Sequence, residues 1–537
     1  MKRTFLLSAS AAALLAASPA LAQSNTSTVD QTGTNATATV NQGGSDSNSD
    51  IDQGGDLNTA TVDQDGSQAG GKSTIAQTGD RNEATVTQSD DGTDFAGAAP
   101  PINTSHVTQD GSDNEATVSQ DTGTLALATV STVSQGGNNN EATVTQVDDS
   151  QDSSIVQSTD NNVANVTQGD PLLVADDESY GNESIVNQGG LGLHSATVTQ
   201  GGIGGYSSVL QTGEDNDATV SQTGFSQDSY VDQSGSFNIA TVDQSGSGND
   251  SDVFQTGTNG IADITQGGTS HESTVTQNAN NNDAIVVQGG SDSTSTITQS
   301  ANNNAARVTQ SGSTNTSEIT QNSAAGSIAY SGTELGEAVL NQPNATGYAV
   351  VQQDGTELDS TISSTGASGF AFVQQIGLDN ESTVTQTGNS NAAFVEQAGS
   401  GNRSVWTQSG FMTNLSTSEI PSSGDNNIAD SRGVHQTGIG NRSDINQSGS
   451  ASSFNAAYLD GRNSVNVNQF GDDNESDITQ GGIDNRADLT QSGSDNESFI
   501  TQGGTNNTAT VTQSSSGNWS SVTQTGTNGT ATVTQGM

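Results

Sequence analysis

Cysteine is absent from the 537 residues, which excludes a disulfide framework and thiolate metal sites. Aromatic side chains make up only 4% of the chain and apolar residues 28%, too little apolar surface for a conventional globular core. Lysine and arginine number 10 against 60 aspartates and glutamates, a net charge of -50. So acidic a chain is repelled by nucleic acid and by anionic membranes, and neither is a candidate partner. The one long apolar run, Phe5 to Ala17, is short for a membrane span. With Lys2 and Arg3 before it and Ala20-Leu21-Ala22 after it, it reads as a signal peptide over residues 1–22, cleaved between Ala22 and Gln23. The mature chain, 23–537, is expected to be exported, with no membrane insertion once the signal is removed.

What the sequence does have is a period. A glutamine recurs every eleven residues, without slipping, from Gln200 through Gln211, Gln222, Gln233, Gln244, Gln255, Gln266, Gln277, Gln288, Gln299 and Gln310 to Gln321. The series opens at Gln31 and closes at Gln535. Aligned on it, the units approximate N-x-A-T-V-x-Q-x-G-x-x, as in Asn82–Gln88, Asn114–Gln120, Asn216–Gln222 and Asn238–Gln244. Many intervening copies carry Ser in place of Ala, as at Ser229 and Ser443. Seven residues alternate with period two and four turn-forming residues follow, which predicts a strand and a tight turn. Glycine two residues after glutamine (Gly33, Gly213, Gly235, Gly257) is expected to supply the positive φ of the corner. Phase is lost near 89–108, 169–187, 322–341 and 409–435; Pro100, Pro101, Pro171 and Pro421 fall in three of these stretches. They read as loops thrown out from corners or as seams between segments.

The alternation assigns faces. The inward set is Asn82, Ala84, Val86 and Gln88, with Asn114, Ala116, Val118 and Gln120, then Asn216, Ala218, Val220 and Gln222, and Asn238, Ala240, Val242 and Gln244. Two units make a coil of about 22 residues, and stacked coils lie about 4.8 Å apart. The expected fold is all-β: a two-sheet β-solenoid, or cross-β stack, of 11-residue strand–turn units. Roughly forty units give about twenty coils and a rod on the order of 100 Å long. Stacking sets Gln on Gln and Asn on Asn, so that each buried amide can bond the one above and below. An unpaired buried amide costs about 1–3 kcal/mol, so the ladder is what permits polar residues inside. The outermost strands, holding Val29 and Gln31 at one end and Ala531, Val533 and Gln535 at the other, are expected to leave exposed edges.

The spacing Q-x-G-x-x-N-x-A-x-x-x-Q, as in Gln77 to Gln88 and Gln211 to Gln222, resembles the curlin repeat over nearly all of the mature chain. The resemblance implies a subunit of curli, the amyloid fibres of bacterial biofilms. It further implies passage through the periplasm and a dedicated outer-membrane export machinery, and polymerisation at the cell surface for adhesion. The implied partners are further copies of the chain and other curlin-like subunits.

No catalytic constellation competes with this reading, and no cofactor or metal is expected. His106, His194, His271 and His435 lack ligand spacing; by register His194 and His271 stand at the inward Asn position, and His106 and His435 point outward. Asp90-Asp91-Gly92-Thr93-Asp94 lacks the remaining ligands of a calcium loop, and Asp148-Asp149 lies in a turn. Two alternatives belong to other classes. A monomeric solenoid adhesin could use the break near Trp406, Phe411 and Met412, although those side chains also suit a core corner. Outward pairs such as Thr85/Thr87, Thr143/Thr145, Thr197/Thr199 and Thr532/Thr534 are similar to the ice-binding face of some insect solenoids. Copies such as Thr61-Val-Asp63 and Thr241-Val-Asp243 interrupt that array, and strand propensity alone accounts for outward threonine.

Overall fold

The computed structural model describes residues 24–43, 46–66, 71–90, 103–122, 128–147, 150–169, 181–322, 347–365, 369–387, 391–409, 434–448 and 463–536. These form forty strands, from Thr26–Gln31 to Thr530–Gln535, and no helix. The chain divides into two compact units, Met1–Phe237 with Thr241–Ser247, and Asn238–Ala240 with Gly248–Met537. Within each unit every strand pairs in parallel with the strand two further along. Thr104–Gln109 pairs with Val130–Gln135 in one sheet, and Glu115–Thr122 with Glu141–Val147 in the other. Each unit is therefore a two-sheet parallel β-solenoid, as the period predicts, with successive rungs usually 22 residues apart.

Register is set by identity. Glu83 faces Glu115, Ala84 faces Ala116, Val86 faces Val118 and Gln88 faces Gln120. A slip of one residue would turn every Ala, Val and Gln outward. The two sheets differ at one inward position. Units with Ala, such as Ala84, Ala116 and Ala142, belong to one sheet, and units with Ser, such as Ser105, Ser131 and Ser153, to the other. Away from the outermost strands the valine and isoleucine columns are buried, with Val86, Val118, Ile155 and Ile264 fully so.

The corners bear out one expectation only in part. None of Gly33, Gly213, Gly235 and Gly257 lies in the positive-φ region; that conformation falls two residues later, at Asn35 (57°), Asp215 (53°), Phe237 (57°) and Asn259 (56°). At other corners the expected torsion is present, as at Gly224 (116°), Gly246 (104°), Gly268 (124°) and Gly290 (104°); at the four named positions glycine is needed for a different reason. A Cβ on Gly213 would lie 1.5 Å from the carbonyl oxygen of Gly235, and one on Gly33 1.4 Å from that of Gly55. The next coil's backbone occupies the space a side chain would fill.

Ladders continue across the interruptions. Asn304–Ser313 pairs with Gly347–Thr356, and Ala392–Ser400 with Val434–Ile439. Residues 104–108, 183–187 and 434–435 are strand. The signal segment with Ala22 and Gln23, residues 91–102, 170–180, 323–346 and 410–433, and Asp148, Asp149, Phe411 and Met412 lie outside the described residues.

Candidate functional site: the amide ladders

Among the described residues no side chain comes forward as a reactive group; the extended feature is the glutamine column of each sheet. In the first unit, the Nε2 of Gln88 donates to Oε1 of Gln120 at 2.8 Å, Gln120 to Gln146 at 3.0 Å and Gln146 to Gln168 at 2.9 Å. In the second, Gln266, Gln288, Gln310 and Gln353 continue in the same way at 2.8 to 2.9 Å. The donor is always the glutamine earlier in the chain. Nε2 commonly bonds the opposite sheet's backbone as well, as Gln211 does to the carbonyl of Ser195 at 2.9 Å and Gln222 to that of Tyr206 at 2.8 Å. One side chain thus ties coil to coil and sheet to sheet, which satisfies a donor that burial would otherwise leave unpaired.

The asparagines work differently from a simple side-chain stack. Asn82 receives the backbone N–H of Asn114 on Oδ1 at 3.0 Å and donates Nδ2 to the carbonyl of Gly111 at 2.7 Å. Asn114, Asn216 and Asn238 likewise donate to the carbonyls of Gly137, Gly235 and Gly257. These are corner carbonyls, so asparagine caps the turn of the next coil. Direct Asn-to-Asn bonds occur in the second unit, as from Asn402 to Asn380 at 3.1 Å.

All sixteen inward residues singled out from Asn82 to Gln244 are 3% exposed or less. At the outermost described strands the same positions are more open. Val29 is exposed; Gln31, Ala531, Val533 and Gln535 are half-buried. Gln31 donates to Gln53 and Gln513 to Gln535. The sheet that holds Gln321 carries Ser364 in the following rung, breaking its glutamine column. Trp406 fills an inward position between Val384 and Ile445, and its Nε1–H donates to Gln447 Oε1 at 3.0 Å. It is a core residue.

The histidines divide as the register predicts. His194 and His271 are buried, and each takes the place of asparagine, with its donor turned to the corner carbonyl of its own coil. Nδ1 of His194 accepts the N–H of Asn216 at 3.2 Å and Nε2–H donates to the carbonyl of Gly189 at 2.7 Å. His271 repeats this with Ser293 and Gly267. The pattern requires the neutral ring, and burial pushes both pKa values down. A depressed histidine contributes stability that is present above the unfolded pKa near 6.5 and lost as pH falls below it. The double variant His194→Asn, His271→Asn is therefore expected to flatten the fall in urea midpoint between pH 7 and 5; an unchanged slope would contradict this assignment. His106 is exposed, and His435 bonds Glu396 at 2.7 Å on the outer side.

Asp283 was not anticipated from sequence. Alternation places it outward, yet it is 3% exposed, and burial together with the Asp263 carboxylate pushes its pKa up to about 7. A raised carboxylate favours the folded state in acid, and that contribution is lost as pH rises through about 7. Asp283→Asn is expected to stabilise the second unit at pH 8 by up to about 4 kcal/mol, at about 1.4 kcal/mol per pKa unit. It should have little effect at pH 4; equal effects at both pH values in urea unfolding would refute the ionisation account. Among the described residues no three His, Asp or Glu side chains gather as metal ligands, and no helix is long and apolar enough to cross a membrane.

No curated protein matches the chain. A family model described as the curlin associated repeat matches at residues 230–257, 261–290, 290–322, 377–410, 461–493, 471–504, 482–514 and 504–536. Those eight matches fall on stretches that carry the Gln–Asn ladders: the chain is a multi-repeat protein of the curlin family.

Proposed function

We propose that this chain is an exported structural subunit that builds curli-like extracellular amyloid fibres for adhesion and biofilm matrix. The observation that carries the reading is the identity of successive rungs. Most coils present the following one with the same backbone groups, glutamine amide and asparagine cap, so a coil from another copy can be received by the same bonds. The single coil is too small to hold itself together, which makes nucleation slow and addition to an existing edge favourable. Curlin-repeat proteins are structural and belong to the cell surface, which supports a non-enzymatic role and the route through the periplasm and outer-membrane export machinery. The outermost described strands, with Val29 and Gln31 or with Ala531, Val533 and Gln535, are where another copy would add.

The test follows residues 23–537 from denaturant into buffer by thioflavin fluorescence and electron microscopy, with and without preformed seeds. Seedable fibres are expected, and deletion of Gln502–Met537 should slow elongation several-fold. Rods that stay monodisperse in the presence of seeds would overturn the proposal, and an unchanged elongation rate would remove the last strands from it.

A further inference from the structure

The interruptions that spoil the threonine pairs in sequence are sorted by the fold. Successive units go to opposite sheets, and in the first unit the T-x-T copies collect on the alanine-bearing sheet. In register there, Thr39, Thr61, Thr85, Thr117, Thr143, Asn165, Thr197 and Thr219 form one outward column. Beside it, Thr87, Ser119, Thr145, Thr167, Thr199 and Ser221 form a second. From Thr85 to Ser221 these two columns hold twelve side chains, of which all but Asn165 are hydroxyl-bearing. The same two outward positions on the serine-bearing sheet read His106/Thr108, Thr132/Ser134, Ser154/Val156, Ile185/Asn187, Ser208/Leu210 and Tyr230/Asp232.

Strand propensity acts on both sheets alike, so it does not explain why the first unit's paired columns lie on its alanine-bearing sheet, whereas in the second unit pairs such as Thr274/Thr276 and Thr296/Thr298 lie on the serine-bearing sheet. Nor does internal bonding, because no hydrogen bond ties the array's threonine hydroxyls to other described residues. All twelve side chains are half-buried or exposed. The array repeats about every 4.8 Å from rung to rung and about 6.7 Å along each strand. It carries no charge and no aromatic ring. A ligand matched to it must itself be neutral and periodic in two directions, with alternating donors and acceptors. A polycation would be drawn instead to the acidic positions, such as the column of Glu83, Glu115 and Glu141 alongside. Crystalline polysaccharide is periodic and neutral, but its sugar faces are gripped by flat aromatic side chains, which the array lacks. Crystalline water fits. Rows of methyl groups order the water above them, and the hydroxyls between can join that layer to a lattice of similar repeat.

We propose that the outward threonine columns between Thr85 and Ser221 form an ice-binding surface, a second function independent of fibre growth. The experiment uses the whole mature chain, 23–537, soluble and after assembly, and reads freezing hysteresis and adsorption of dye-labelled protein to a single ice crystal. Thr145→Asp with Thr199→Asp charges the array at a position where the chain already accepts Asp63, so the fold should survive, as checked by circular dichroism. Ser134→Asp with Asn187→Asp makes the matching change on the other sheet, at the position held by Asp232. Hysteresis and adsorption to defined ice planes are expected for the parent and the second variant, with loss of both in the first. Absence of ice adsorption by the folded parent would overturn the proposal, as would equal loss in both variants or retention on crystalline cellulose but not on ice.

Discussion

Replacing Gln288 by glutamate is expected to destabilise the second unit by roughly 3–5 kcal/mol at pH 8, the cost of leaving a buried charge without a partner. Gln288 Nε2 donates to Gln310 Oε1 at 2.9 Å and to the carbonyls of Ser293 and Glu272 at 3.0 and 3.2 Å. Its Oε1 accepts from Gln266 at 2.9 Å. A carboxylate preserves the last of these bonds and turns its second oxygen toward three acceptors. Gln288→Leu, nearly the same size, leaves single donors and acceptors unpaired and should cost about 1–3 kcal/mol. The glutamate's pKa must rise in this setting. Its penalty is therefore small below the unfolded value near 4.3 and grows as pH rises through the folded value. Urea midpoints of both variants at pH 5 and 8, with hydrogen exchange of Asp283–Ser291, measure this. A glutamate variant no worse than the leucine variant at pH 8 would show that the column is open to water or counter-ions.

Gly213→Ala is expected to cost about 3 kcal/mol or more, the severe end of overpacking. The methyl group would sit 1.5 Å from the carbonyl oxygen of Gly235 and 2.5 Å from its carbon. That carbonyl also receives Nδ2 of Asn216 at 2.9 Å, so moving it disturbs the asparagine cap as well as the coil spacing. Gly204 provides the contrast. It has φ of +68°, and an added Cβ would meet nothing nearer than Ser226 Oγ at 3.6 Å. Its alanine variant pays torsional strain alone, about 1–2 kcal/mol. Thermal unfolding of the two variants separates spacing from torsion. If Gly204→Ala proves the more damaging, the close-approach account is wrong.

The contrast between these glycines marks where sequence reading stops. Period, strand length and inward face follow from local alternation, and Asn82 to Gln88 needs nothing more. The reason for Gly213 is the position of Gly235, a contact between coils that no local pattern encodes, so the torsional explanation that holds at Gly224 and Gly246 fails at Gly213. The donor arrangement of Asn82 is hidden for the same reason, because its acceptor is a corner carbonyl 29 residues away. Asp283 is legible as outward but not as buried. The sorting of threonine pairs onto one sheet of the first unit was available in principle. The alternation of Ser and Ala copies marks which units share a sheet, and taking units in twos instead of singly separates Thr143 from Asp232. The histidines were readable by register alone, since His194 and His271 stand at the place of a known ladder residue.

The glutamine columns also give the molecule a direction. Along the unbroken stretches of the columns Nε2 points to the following rung and Oε1 to the preceding one, so within a unit the amide dipoles add instead of cancelling. A coil is consequently unlike on its two sides, offering hydrogens to one neighbour and oxygens to the other. Copies joined by continuing the column must all run the same way. Such a contact uses different surfaces on the two partners and does not close into a symmetric pair. Any assembly grown by this rule has two chemically distinct tips, and the rates at which they accept a new copy have no reason to be equal.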